Sequence, residues 1–191
     1  MATKKATKKA ATKSATTKKK AAAKKPAAKK AAVKKAPAKK AGAKKAARAK
    51  TIGYTTSNVF PKHSIKQVWD AAVKSVHLKK HFVDDMRGEY GPDLKPVGWY
   101  WKEWGWTDSK VLAYKEYEQL VFEGMSMDGK STIIVTYDFL EKDGKTIFRI
   151  SESGYPAGDL KSAFMMCEGW TEFHCGVKAY LMSGLLLNRD Y

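Results

Sequence analysis

The sequence predicts an α+β domain that follows a basic tail, and three patterns carry that prediction. Residues 1–50 hold nineteen lysines, one arginine and no acidic residue. Residues 98–153 are rich in β-branched and aromatic side chains and contain a strong hairpin signal at Asp143–Gly144. Residues 158–184 carry apolar side chains at the spacing of one long helix. Strands grouped before a single long helix favour α+β over an alternating α/β order.

The charge of the chain divides at residue 50. The whole chain carries +18, from 37 Lys and Arg against 19 Asp and Glu. Since residues 1–50 contribute +20, residues 51–191 carry −2. Every Trp, Tyr and Phe lies in this second part, which suffices for one packed domain and not for two. The tail cannot bury enough apolar surface to offset its ordering entropy, so we expect a disordered tail at 1–50 and a domain at 51–191.

The tail repeats lysine doublets every five residues between Ala21 and Lys45. On an α-helix this period spreads charge around the axis, because five residues advance about 500°. Such a helix lacks the apolar stripe that a membrane surface requires, so the pattern favours a polyanion. Lysine offers point charges without bidentate base readout, so we expect salt-dependent binding of nucleic acid without sequence specificity. The candidate nucleic-acid-binding residues are Lys4, Lys5, Lys8, Lys9, Lys13, Lys18, Lys19, Lys20, Lys24, Lys25, Lys29, Lys30, Lys34, Lys35, Lys39, Lys40, Lys44, Lys45, Arg48 and Lys50.

The central run AKKPAAKKAAVKKAPAKKA resembles the tails of linker histones and bacterial histone-like proteins. That resemblance implies a nucleic acid partner, DNA first, and a cytoplasmic location at a nucleoid or chromatin. A solubilising tail, a tail for RNA or another polyanion, and a processed transit peptide stay open as alternatives. No apolar run approaches the length of a membrane span, and no secretory h-region follows the basic N-terminus. The two cysteines favour a reducing compartment.

The body begins with a predicted strand over Thr51–Phe60. Ser64 and Gln67 have the spacing of a capping box that starts a helix, and a second short helix is predicted over Ser75–Phe82. The glycines and prolines of residues 84–96 indicate turns. Two helices therefore separate the first strand from the others.

The segment GWYWKEWGW is the most aromatic part of the chain and is predicted as a strand. Alternation puts Trp99 and Trp101 on one face and Tyr100 and Trp104 on the other, unless a bulge at Gly105 resets the phase. One set is expected to line the space between sheet and helix. The other set is then exposed or covered by a neighbour, as at a ligand site, a stacking platform for bases or a protein interface.

Three further strands and one long helix complete the prediction for the body. SKVLAYKEYEQLVFEGM, STIIVTYDFL and KTIFRISESG are predicted strands, the last two joined at Asp143–Gly144. A long helix over Gly158–Gly184 has Asp159 as its candidate N-cap. Two sets of side chains are expected to face inward: Ile133, Val135, Tyr137 and Phe139 on the strand, and Leu160, Phe164, Cys167, Trp170, His174, Val177 and Leu181 on the helix.

Three phrases, HSIKQVWDAAVKSVHLKKHF, TIFRISESGYP and EGWTEFHCGVKAYLMSG, resemble segments of the START-like, polyketide-cyclase-like (SRPBCC) superfamily. They are most similar to the branch named after the activator of the ninety-kilodalton heat-shock chaperone's ATPase, over residues 51–186. The resemblance implies the helix-grip fold, a curved antiparallel sheet around the C-terminal helix with a cavity between them. Members bind apolar ligands, act as cyclases or hydrolases, or assist a chaperone. GWYWKEWGW, and Phe173 or His174 where leucine is usual, depart from the pattern, so the family's ligand is not carried over.

The fold that the resemblance implies also gives a set of candidate ligand-cavity residues. They are Trp99, Trp101, Ile133, Val135, Tyr137, Phe148, Phe164, Trp170 and His174. Glu152 and Glu168 could hydrogen-bond a ligand or act as an acid or base, although a solvated position is the commoner outcome for each. The sequence predicts no catalytic residue and no cofactor.

Histidines and cysteines offer weaker candidates for chemistry. His77 and His81 lie four residues apart on a predicted helix, but the two lysines between them oppose a cation, so no metal site is predicted. Cys167 and Cys175 lie about 12 Å apart along a helix, too far for a disulfide. Cys167 is likewise about 10.5 Å from His174 along the helix, so these two do not form a nucleophile pair.

The combined expectation is a non-enzymatic binding protein. Its tail binds nucleic acid, and its body binds a small apolar ligand or a protein partner in or near the helix-grip cavity. Two alternatives stay open: a cavity enzyme that the tail localises, and a chaperone-associated factor. Fold-level analogy alone is a weak basis for either of them.

Overall fold

The computed structural model describes residues 51–126 and 129–187, so the predicted tail lies outside the described residues. The described residues form one curved sheet of seven antiparallel strands in the order β1-β7-β6-β5-β4-β3-β2. The last helix packs against β1 and β7, which confirms the predicted α+β class and the helix-grip arrangement. In chain order the elements are β1 (Thr51–Phe60), α1 (Ile65–Val73), α2 (Ser75–His81), β2 (Asp85–Arg87), β3 (Val97–Trp101), β4 (Gly105–Lys115), β5 (Gln119–Met125), β6 (Thr132–Lys142), β7 (Lys145–Pro156) and α3 (Leu160–Ser183).

Local signals set the first strand and the first two helices. β1 has the predicted bounds, and the capping box is present at α1. The Ser64 hydroxyl accepts the Gln67 N–H at 3.3 Å, and the Gln67 side chain accepts the Ser64 N–H at 2.9 Å. α2 ends at His81, one residue before the predicted end. The short strand β2 lies inside the segment predicted as turns, because three residues are too few to show an alternation.

Two segments predicted as strands are hairpins. GWYWKEWGW turns at Lys102–Trp104, and β4 starts at Gly105 with φ 80°, a conformation that glycine adopts without strain. SKVLAYKEYEQLVFEGM turns at residues 116–118, where Tyr117 has φ 63°. A tryptophan and a tyrosine occupy these turns, so the strand-like composition continues through both of them. The predicted face assignment is therefore wrong for Trp104, whose ring contacts Trp101 and not Tyr100.

The hairpin at Asp143–Gly144 and the ends of α3 are confirmed. Asp143 and Gly144 have φ 52° and 68°, the left-handed values that a two-residue type I′ turn needs. The Asp159 side chain accepts the Ser162 N–H at 3.3 Å, as expected of an N-cap. Gly184, with φ 69°, ends the helix as a left-handed cap. No helix of the described residues is long and apolar enough to span a bilayer.

The core lies between the inner face of the sheet and the helices. The four β6 side chains predicted to face inward are all buried: Ile133, Val135, Tyr137 and Phe139. The predicted stripe of α3 is buried only in part, since Trp170, His174 and Val177 are buried, whereas Leu160 and Phe164 are exposed. The second half of α3 thus packs on the sheet, and the first half leaves apolar side chains at the surface.

Candidate ligand site between the sheet and the last helix

The structure brings most of the predicted cavity residues into one cluster. Seven of them are buried in the core: Trp99, Ile133, Val135, Tyr137, Phe148, Trp170 and His174. Trp101 is half-buried at the margin of this cluster, and Phe164 is 68% exposed. Whether these side chains hold a ligand stays a prediction.

The interior aromatic rings pack directly on one another. The ring centroids of Trp170 lie 6.3 Å from Trp99 and 5.7 Å from Tyr137. Phe148 stacks on Phe139 at 4.5 Å and meets the His174 ring at 4.7 Å. Packing at these distances fills the space beneath the helix, so a guest there has to displace side chains or part of α3.

Two pockets lie away from this interior. One is a groove of about 200 Å³ lined by Pro96, Asp108, Ser109, Lys110, Glu123, Gly124 and Met125. The other has about 60 Å³ and is lined by Phe60, Pro61, Lys62, His63, Lys178 and Met182. Neither pocket is lined by a predicted cavity residue.

Glu152 is a buried carboxylate on the inner face of β7 and is only 3% exposed. Tyr54, its cross-strand partner on β1, donates its hydroxyl to Oε2 of Glu152, and the Tyr155 hydroxyl donates to the same oxygen at 2.6 Å. In the part of the chain that the structure describes, no donor contacts Oε1. The carboxylate is therefore held by one oxygen and offers the other as an acceptor.

The two phenols are fixed as donors. Burial, followed by the hydrogen bond to Glu152, raises the pKa of Tyr54 and of Tyr155 well above the ordinary value near 10. Both hydroxyls therefore stay protonated at neutral pH and point at Oε2. The expectation that Glu152 is solvated was wrong. The alternation of buried Phe148 and Ile150 along β7 was the signal that could have placed it inside.

More buried polar atoms lie on the neighbouring strands. Thr56 of β1 and Tyr137 of β6 both pair with Ile150, which is two residues before Glu152 on β7. The hydroxyls of Thr56 and Tyr137 are buried without a hydrogen-bond partner among the described residues. Buried polar groups almost always have a partner in native proteins, counting water and ligands. This strip of the inner face therefore has hydrogen-bonding capacity that the described residues leave unused.

His174 adds a further polar group from α3. Its side chain is 2% exposed, and both ring nitrogens lack a hydrogen-bond partner within residues 51–126 and 129–187. Burial is the larger effect and lowers the pKa of His174 to about 4, while a contact with the Thr56 backbone acts in the opposite direction. The ring is thus neutral at neutral pH, with one nitrogen that can donate and one that can accept.

The remaining candidates have other surroundings. Glu168 is exposed, as expected. Nδ1 of His77 lies 2.8 Å from the Tyr180 hydroxyl, and Nε2 of His81 lies 2.9 Å from the Ala71 carbonyl oxygen, so both rings have structural partners. Cys167 is half-buried and Cys175 is exposed, and both are free thiols. The described residues contain no group of three His, Cys, Asp or Glu that could hold a metal ion.

The first half of α3 is only lightly packed. Between residues 160 and 169, Ala163 alone is buried, whereas Leu160, Phe164 and Met165 are 52%, 68% and 44% exposed. Between residues 170 and 177, five side chains or glycines are buried. Moving the first half of α3 away from the sheet would therefore expose little additional apolar surface.

Comparisons with known proteins identify the family. The profile of the family described as "Activator of Hsp90 ATPase homolog 1-like protein" matches residues 62–182. The chain belongs to this family. The match runs from just before α1 to the last turn of α3, and it includes β7 with Glu152 and Tyr155. No match is found among curated proteins.

Solved structures agree with the fold of this Activator of Hsp90 ATPase homolog 1-like domain. DynU16 of the dynemicin biosynthetic locus aligns with TM-score 0.62 at 14% identity, covering 72% of this chain and 50% of that one. SSP2350 from Staphylococcus saprophyticus aligns with TM-score 0.60 at 17% identity, covering 71% and 95%. The Aha1 dimer from Colwellia psychrerythraea aligns with TM-score 0.57 at 17% identity, covering 70% and 98%. The chain spans about half the length of DynU16, and likeness at these identities shows the fold alone.

Proposed function

We propose that this chain is a two-part binding protein. Residues 1–50 bind nucleic acid, DNA first, without sequence specificity. Residues 51–191 bind a small, largely apolar molecule between the sheet and α3. The observation that supports the role of the body is Glu152, a carboxylate buried in an aromatic interior, with two tyrosines on Oε2 and no described donor on Oε1.

The chemistry around Glu152 narrows the ligand to a class. Oε1 accepts, so the ligand carries an amine, amide or hydroxyl donor at one end. The aromatic rings of Trp170 and Phe148 favour an apolar or aromatic body at the other end. The unused groups of Tyr137 and His174 can then pair with further polar atoms of the ligand.

Entry to this site uses the lightly packed half of the helix. Only Ala163 is buried between residues 160 and 169, so lifting these turns costs little apolar burial. The second half of α3, with Trp170 and Phe173 in the core, stays in place. A ligand that fills the opened space stabilises the open form by mass action.

Native mass spectrometry tests the body. The full chain is purified, freed of nucleic acid with nuclease and high salt, and analysed for a co-purified small molecule and for binding of a panel of aryl-alkyl amines and alcohols. Glu152→Gln is expected to lose the bound molecule or to lower the affinity for it at least tenfold, because an amide N–H group replaces one oxygen acceptor. Glu168→Gln, an equal change at an exposed position of α3, is expected to behave as wild type. Full retention in Glu152→Gln would refute the site.

Salt titration tests the tail. The affinity of the full chain for two unrelated DNA duplexes is measured by fluorescence anisotropy, and both are expected to bind equally with a steep slope of log K against log salt. Replacing ten lysines by glutamine is expected to reduce the magnitude of the slope of log K against log salt by up to about nine. Each phosphate that is no longer neutralised lowers it by about 0.9. A control with ten tail alanines replaced by glutamine keeps the slope. The ten lysines are Lys24, Lys25, Lys29, Lys30, Lys34, Lys35, Lys39, Lys40, Lys44 and Lys45.

A second candidate for the body is a chaperone-associated role. The family match supports it, since the family's name describes an activator of the Hsp90 ATPase. The exposed apolar side chains of Leu160, Phe164 and Met165 give a surface that a protein partner can cover. The test is stimulation of an Hsp90 ATPase by the full chain, which Phe164→Ser is expected to reduce. Unchanged ATPase rates would remove this candidate.

A further inference from the structure

The outer face of strands β2, β3 and β4 carries an exposed aromatic and guanidinium surface. Tyr100 and Trp106 are direct cross-strand partners with ring centroids 5.2 Å apart, and Trp106 is 44% exposed. The Arg87 guanidinium lies over the Trp106 ring, 4.7 Å from its centroid. Arg87 also donates Nε to Oδ1 of Asp108 at 3.1 Å and Nη2 to both carboxylate oxygens at 2.5 Å.

A glycine makes this arrangement possible. Gly98 pairs with Arg87 on one side and with Asp108 on the other. A Cβ at Gly98 would lie 2.6 Å from Nε of Arg87 and 2.7 Å from Oδ1 of Asp108, so the ion pair crosses the strand only because the side chain is absent. The result is a shallow surface of two rings, with the guanidinium plane lying over one of them, which we call the outer platform: Arg87, Gly98, Tyr100, Trp106 and Asp108.

We propose that the outer platform stacks the unpaired bases of single-stranded nucleic acid whose phosphates the tail holds. This inference rests on the proposed role of the tail. Bases stack on aromatic rings and on arginine planes, and such contacts tolerate any sequence because every base has a π-face. Tryptophan, tyrosine and arginine in one exposed cluster supply both kinds of surface.

The charges of the chain favour this occupant. Asp108 is neutralised by Arg87, so the platform itself neither attracts nor strongly repels phosphate. The body carries −2 and the tail +20, so attraction of a polyanion resides in the tail. Stacking and charge are thus divided between two parts of one chain, and their covalent connection raises the effective concentration of a tail-bound strand at the platform.

The dimensions of the chain permit both contacts at once. The tail joins the body at β1, and β4 lies four strand spacings away in the sheet, about 19 Å. A chain of fifty residues can reach up to about 165 Å when fully extended, so its length does not limit this distance. Beyond Asp108 the outer face continues into the groove of about 200 Å³ beside Lys110 and Met125, which leaves space for a neighbouring base.

The test compares probes that differ only in their bases. The full chain, freed of nucleic acid, is titrated by anisotropy with a 20-nucleotide oligothymidine, with an abasic strand of the same length and with a duplex, all at one salt concentration. Wild type is expected to bind oligothymidine about 5- to 150-fold more tightly than the abasic strand, the range for stacking one base. Trp106→Ala is expected to abolish this preference and to leave the abasic and duplex affinities unchanged.

Matched variants separate stacking from general damage. Trp106→Tyr keeps a ring and is expected to retain most of the preference. Gly98→Ala keeps both rings but displaces Arg87 and Asp108, and it is expected to reduce the preference for oligothymidine over the abasic strand. Leu112→Ala removes an exposed apolar side chain elsewhere on β4 and is expected to change nothing. Each variant is checked by circular dichroism and by its urea midpoint.

The outcomes distinguish the two proposals. If no probe binds, the proposed role of the tail fails. If the abasic strand and oligothymidine bind equally, or if Trp106→Ala keeps the preference, the tail stands and the platform is refuted. Loss of self-association, or of binding to anionic vesicles, in Trp106→Ala without any effect on single strands would instead assign the surface to a second copy or to a membrane, and would overturn the proposal.

Discussion

The two faces of the β3–β4 hairpin use the same residue types for opposite purposes. Trp99 points inward, is 7% exposed and meets the ring of Trp170. Trp106, seven residues later and on the outer face beside Tyr100, is 44% exposed. Burial of a tryptophan contributes stability, whereas an exposed one contributes little and leaves part of its ring surface accessible to a partner. Position relative to the sheet, and not residue type, therefore decides which rings hold the fold together.

Polar groups differ between the faces in the same way. On the outer face, Arg87 and Asp108 pair in solvent, with side chains 55% and 58% exposed. On the inner face, Tyr137 and His174 are almost fully buried, and the Tyr137 hydroxyl and the His174 ring nitrogens have no hydrogen-bond partner among the described residues. Burying such atoms without partners costs free energy. Ligand binding is a reason to retain them inside, because a bound polar group would complete their hydrogen bonds.

The largest expected effect is on stability, and it tests the difference between buried and exposed tryptophans. Trp170→Ala removes a buried ring that contacts Trp99 and Tyr137, and is expected to lower the free energy of unfolding by about 3–5 kcal/mol. Trp104→Ala, at a 75% exposed position, is expected to change it by less than about 0.5 kcal/mol. Urea unfolding of the full chain, followed by circular dichroism, measures both. Equal losses would contradict the division between buried and exposed tryptophans.

Sequence reasoning succeeded where the signal is local. The capping box of Ser64 and Gln67, the turn at Asp143–Gly144 and the N-cap at Asp159 depend on a few neighbouring residues, and all three are present. Each involves a side chain or a φ value that only a few residue types supply. The helix-grip arrangement followed from the resemblance and not from any local pattern, and the order of the strands in the sheet was not predicted.

The failures have tertiary causes. Trp104 and Tyr117 occupy turns although their composition indicates strand, because the neighbouring strands and not the local sequence fix the reversal. Phe164 belongs to an apolar stripe, yet it is exposed because the sheet does not cover the first turns of α3. Glu152 is buried with Tyr54 and Tyr155 both donating to Oε2. The alternation along β7 could have placed Glu152 inside, but no spacing rule links it in advance to Tyr54 on another strand.

The next expected effect concerns the buried imidazole. In the folded state burial lowers the pKa of His174 from 6.5 to about 4, so between these values the unfolded chain binds a proton that the folded chain does not. Stability from this group is present above pH 6.5 and is lost as the pH falls toward 4, by roughly 3 kcal/mol in all. Urea midpoints measured from pH 7 to pH 4 should show this loss.

Two variants identify His174 as the source. His174→Leu is expected to reduce the dependence of the urea midpoint on pH. Some dependence remains from His77, because burial lowers the pKa of that residue as well. Leu112→Ala, at an exposed apolar position of β4, is the control for general damage and is expected to keep the full dependence. A wild-type slope in His174→Leu would show that the imidazole is reached by water or is paired in solution.

The smallest expected effect is the coupling energy within two ring pairs, one exposed and one buried. Tyr100 and Trp106 form an exposed cross-strand pair with centroids 5.2 Å apart, and such pairs contribute about 0.2–1 kcal/mol. Tyr137 and Trp170 form a buried pair at 5.7 Å, where alanine substitution also leaves a cavity. A double-mutant cycle to alanine on each pair is expected to give a small coupling energy outside and a larger one inside. A coupling outside as large as that inside would mean that the outer rings stabilise the sheet, and selection for stability would then suffice to explain them without a nucleic acid partner.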